Sequence, residues 1–122
     1  MPQFDVVDVQ VRFHPASEGG RELAPSLDGT LASSYRPHLV VGGPDAPVHW
    51  PDGRAGMNYI GVAFVGGPHH VSVGETVEAR FVFMFPEQDT AAVVPGAVFT
   101  LREGHHIVAE GRVVSRNVEE LA

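Results

Sequence analysis

Residues 76–85 set the tightest limit on what this chain can fold into. Val77, Ala79, Phe81, Phe83 and Phe85 fall at every second position, with Thr76, Glu78 and Arg80 alternating against them. A period of two places the first set on one face of an extended strand and the second on the other. A helix would scatter the same phenylalanines around its circumference. Burying such a stripe stabilises a fold by roughly 1.5–3 kcal/mol per ring, and Pro86 ends it. On this reading Phe81 and Phe83 are almost completely buried. Val82 and Met84, on the opposite face, tolerate polar replacement better unless they belong to an interface.

The same signal recurs along the chain. Residues 4–13 alternate from Val7 onward, with Val7, Val9, Val11 and Phe13 against Asp8, Gln10 and Arg12, until Pro15. A second strand starts near Tyr35 and runs through Leu39-Val40-Val41 into Gly42-Gly43-Pro44. The third, residues 57–65, is apolar on both faces and stops at Gly66-Gly67-Pro68. Ala97, Phe99 and Leu101 alternate with Val98, Thr100 and Arg102, and residues 107–114 return after Glu103-Gly104-His105-His106. Gly104 supplies the positive φ of a tight hairpin there. Residues 17–34 have no period and read as a long surface connector. Residues 45–56, with Trp50, read as an ordered loop, and residues 117–122 have room for a short helical turn. The 14 Gly and 10 Pro are dispersed, as punctuation between short segments should be. Residues 1–122 therefore form one all-β domain, a six-stranded closed antiparallel β-barrel, because closure removes exposed edges.

All eight basic residues are arginine, and 15 acids bring the formal net charge to -7. That balance argues against a general affinity for nucleic acid, DNA included, or for an anionic membrane. The absence of cysteine removes disulfides, thiol catalysis and thiolate zinc sites. No apolar run is long enough for a bilayer-spanning helix, and the first residues show no leader pattern, so the expected location is cytoplasmic.

Three stretches carry a resemblance. Glu18-Gly19-Gly20-Arg21 follows the first strand, Tyr35-Arg36-Pro37 opens the second, and Phe99-Thr100-Leu101-Arg102-Glu103-Gly104 precedes Val108-Ala109-Glu110-Gly111-Arg112-Val113-Val114. In this order, and with strands between them, they resemble the third, C-terminal domain of bacterial elongation factor Tu over nearly the whole chain. Val73-Gly74-Glu75 stands where that family has a Pro-Gly-Asp turn. The resemblance implies a six-stranded antiparallel barrel. It also implies a contact with the T-arm backbone of aminoacyl-tRNA at Arg102, Glu103 and Gly104. The departures are substantial: no Gly-x-x-x-x-Gly-Lys-[Ser/Thr] loop occurs, Lys is absent altogether, and residues 22–34 make a longer connector than the family's.

The remaining chemical candidates have plain structural readings. His69-His70 and His105-His106 could chelate a metal only by meeting across a barrel rim, since neighbours on a strand face opposite ways; surface duty is the expectation. Glu87 with Asp89, and Glu18 with Glu22, read as solvated carboxylates rather than acid/base pairs. Ser33-Ser34 near His38 is no triad signal. Trp50 reads as a pin for its loop, and Arg102 as a cross-strand partner of Glu110 or a hairpin cap, set against an inherited contact role. No cofactor is implied. The leading function is therefore a free-standing, non-enzymatic binding module that docks a protein partner or forms a homodimer. The alternative is RNA contact, to tRNA or ribosomal RNA, through Arg36 and Arg102 with Arg112 and Arg116 gathered on the same face.

Overall fold

Alternating β-branched and aromatic residues extend the chain into six strands in the computed structural model, which describes residues 3–20, 22–46, 59–104 and 106–121. The strands are β1 (Gln3–Phe13), β2 (His38–Val41), β3 (Ile60–Gly66), β4 (Thr76–Phe83), β5 (Val98–Glu103) and β6 (His106–Glu120). Helix among the described residues is limited to a three-residue 3-10 turn at Ala16–Glu18. Every pairing is antiparallel, and the order β1-β4-β3-β2-β5-β6 returns from β6 to β1. Six strands thus form a ring, and each has a neighbour on both sides. None of the described helical residues forms a helix long and apolar enough to cross a membrane.

The inward faces meet in one core. Val7, Val9, Val11 and Phe13 from β1 join Leu39, Val62, Phe64, Phe81, Phe99, Leu101 and Val113, all at most 2% exposed. Phe81 lies at its centre, with ring centroids 5.5 Å from Phe64, 5.8 Å from Phe83 and 6.3 Å from Phe99. Gly111 makes room for this packing. A Cβ there would stand 2.5 Å from both the Phe99 ring and the Gln10 carbonyl oxygen.

The aromatic stripe of β4 frays toward its end. Phe81 is fully buried, Phe83 is half-buried and Phe85 is 44% exposed. The cause is pairing on one side: β1 accompanies β4 only as far as Val82, whereas β3 continues, its Gly61 carbonyl accepting the Met84 N–H at 2.9 Å and the Phe85 ring lying against Gly61. Val82 corrects the expectation more sharply. It is 2% exposed and joins Val6 and Ala63 in a second apolar cluster on the outside of the ring. Leu31 from the connector, Met84 and Leu121 pack against that cluster. The connector is not wholly superficial either, because Leu27 is completely buried in the main core. Residues 117–120 continue β6 instead of turning into a helix, since Gln3, Phe4, Asp5 and Val6 of β1 pair with them. Trp50 and the start of the expected third strand lie outside the described residues.

Candidate functional site

The β5–β6 hairpin end brings the sequence candidates together. Gly104 has φ +62°, the left-handed backbone the tight turn requires. One step back, the half-buried Glu103 carboxylate accepts a 2.6 Å hydrogen bond from the Tyr35 hydroxyl. Tyr35 is held for this by Phe13 and Phe64, each 5.9 Å away between ring centroids. His106 Nε2 meets the Gly19 carbonyl from the same hairpin. The three stretches that carry the resemblance thus converge at one end of the ring, which their sequence separation does not suggest.

The other two of the four candidate residues, Arg102 and Arg36, also serve the fold visibly. Arg102 is 6% exposed. Its Nε donates to Thr100 Oγ1 at 3.2 Å, and Nη2 donates to the Pro44 carbonyl at 3.5 Å. It does not pair with Glu110, which lies near Arg12 (3.7 Å) and His14 (3.8 Å) instead. Arg36 is exposed, and its guanidinium donates to the Leu31 carbonyl at 2.8 Å and Ser34 Oγ at 3.3 Å, bracing the connector. Arg116 turns inward near the opposite end of β6, over the Phe83 ring at 4.8 Å and against Asp5 at 2.6 Å. Arg36, Arg102, Arg112 and Arg116 therefore have separate environments and build no shared basic face.

The other titratable groups are largely tied down. Arg12 forms a two-pronged contact with Glu18, at 3.1 and 2.9 Å, beside the 3-10 turn. Those hydrogen bonds hold the Glu18 carboxyl below its ordinary range and raise the Arg12 guanidinium. Arg80 donates to Asp8 and Glu119, which raises it further, the Asp8 hydrogen bond being the larger cause. His69 meets Asp28 at 3.0 Å, and Asp89 caps the Ala91 N–H at 3.0 Å. No group of three or more His, Asp or Glu among the described residues could hold a metal ion.

Sequence reasoning missed the outward surface of β5, β6, β1 and β4. A shallow groove there is lined by Gln10, Arg12, Thr76, Val98, Glu110 and Arg112. Val98 is 45% exposed and Val114, the extra residue of a bulge in β6, is 51% exposed. Arg112 stands beside Val98 with no hydrogen bond or ion pair among the described residues. Alternation alone gives the side on which these residues lie; their neighbours depend on register. No protein-family model and no curated protein matches the chain.

Proposed function

We propose that the chain is a free-standing, non-enzymatic binding module, its ring being the six-stranded closed barrel of the third domain of elongation factor Tu, and that it docks a protein through its outward β5–β6 face. The observation that carries this reading is the half-exposed Val98 beside Arg112, whose side chain has no hydrogen bond or ion pair among the described residues, with the half-exposed Val114 two residues further along β6. Apolar area with a cation able to make planar hydrogen bonds is the composition of a protein-binding patch. The inside of the ring is filled by apolar side chains, which favours docking on the outside.

The test is a native-lysate pull-down with the purified chain and with a Val98→Asp/Val114→Asp variant of matched thermal stability. A protein retained by the parent and lost by the variant supports the reading; identical recovery by both overturns it. RNA contact is the second reading, favoured only by the exposure of Arg36 and Gly104 at the hairpin end. Filter binding with tRNA at low salt that stays at background removes it.

A further inference from the structure

Register places four outward side chains in a single rung across the sheet: Val98 on β5, Arg112 on β6, Gln10 on β1 and Glu78 on β4. All four are exposed, and Gln10, Glu78 and Arg112 make no hydrogen bond or ion pair among the described residues. Gln10 is the midpoint, with a cation one strand to one side and an anion one strand to the other, each about 4.8 Å away along the sheet. The next outward residues on β1 differ. Arg12 is folded onto Glu18 at 2.9 Å, and Asp8 onto Arg80 at 3.2 Å. Charges on β1 above and below the rung are satisfied internally, and those of the rung have no partner among the described residues.

We propose that this rung is the self-complementary contact through which two copies of the chain form a two-fold dimer. The proposal rests on the docking reading above and names its partner. An axis running along β1 over Gln10 sets Arg112 of one copy against the partner's Glu78, and the reverse contact follows by symmetry. The two Gln10 amides meet on the axis, each with donors and an acceptor. An axis along the rung would oppose Arg112 to Arg112, so the charge order selects one arrangement. A purely basic partner would answer Glu78 and repel Arg112, and a purely acidic one would do the opposite. A second copy answers both. Two convex surfaces touch over a narrow strip, and exposed ion pairs contribute little affinity, so the dimer is weak and its register is fixed by charge.

Sedimentation equilibrium on the full chain, Arg112→Glu, Glu78→Arg, the double exchange and an equimolar mixture of the two single variants tests this. The parent should show concentration-dependent dimerisation, and each single variant should weaken it at least about tenfold. Glu78→Arg also makes the chain less acidic; if overall repulsion governed association, that variant would dimerise more strongly than the parent. The double exchange should restore the dimer, and the mixed single variants should associate with each other. A parent that stays monomeric up to about 1 mM overturns the proposal. So does a dimer that all three variants leave unchanged. Neither result touches docking on another protein, which the Val98→Asp/Val114→Asp pull-down decides separately.

Discussion

Truncating the β4 phenylalanines one at a time should give a steep gradient of stability loss. Phe81 is fully buried and meets three other aromatic rings within 6.3 Å, so Phe81→Ala should cost about 3–5 kcal/mol through lost burial and a residual cavity. Phe83 is only half-buried but lies under the Arg116 guanidinium at 4.8 Å; Phe83→Ala should cost about 1.5–3 kcal/mol. Phe85, 44% exposed past the end of β4 and past the reach of β1, should cost about 1 kcal/mol or less. With an unfolding entropy of roughly 2.1 cal/mol/K per residue, a domain of this length loses about 4 °C per kcal/mol. The melting temperature should therefore fall by about 12–20 °C, 6–12 °C and at most about 4 °C in that order. Circular dichroism on heating, with urea midpoints at constant m as a cross-check, reads all three. A Phe85→Ala loss equal to that of Phe81→Ala, or Phe81→Ala within a few degrees of the parent, would refute the register and the ring built on it.

Four further outcomes follow from the same geometry. Val82→Ser should cost about 2–3 kcal/mol by urea denaturation, because Val82 is buried on the outside of the ring, whereas Val114→Ser should change stability by no more than about 0.5 kcal/mol. Gly111→Ala should cost about 1–3 kcal/mol, since its methyl group meets the Phe99 ring and the Gln10 carbonyl at 2.5 Å; an unchanged melting temperature would disprove that crowding. Arg102→Met should be neutral or stabilising in calorimetry, because it exchanges a buried guanidinium with only neutral acceptors for an apolar side chain of similar length. Arg12 holds the Glu18 carboxyl low, so this contact stabilises the fold above the ordinary value of 4.5 and is lost as pH falls through the lower folded value. Glu18→Gln should flatten that part of the acid limb in a melting profile against pH, and an unaltered limb would refute the contribution.

The strands were legible because their signal is local. Val7, Val9, Val11 and Phe13 declare a buried face within seven residues, and the structure uses that face. Boundaries were less legible where long-range pairing decides them. Nothing near Asn117 or Val118 announces a strand; β6 continues there because β1 offers Val6 and Asp5 across from them. Val82 was misread for a related reason. Alternation sorts side chains into two faces, but solvent is not the default occupant of the second face. Here Leu31, many residues away in a segment without periodicity, packs against the outer cluster.

The candidate site was less legible than the fold because charge acquires its role from register. Arg102, Arg112 and Arg116 are the same chemical group on β5 and β6, yet one is buried and donates to Pro44, one stands beside Val98 with no side-chain partner among the described residues, and one lies against Asp5. Composition counts them equally. Gln10 looks like an ordinary polar residue of the first strand until pairing sets Arg112 on one side of it and Glu78 on the other. A slip of one residue between β1 and β4 would oppose Gln10 to a neighbour on the inward face and remove that arrangement. The aromatic core that excludes such a slip thereby also determines which charges the outward surface presents.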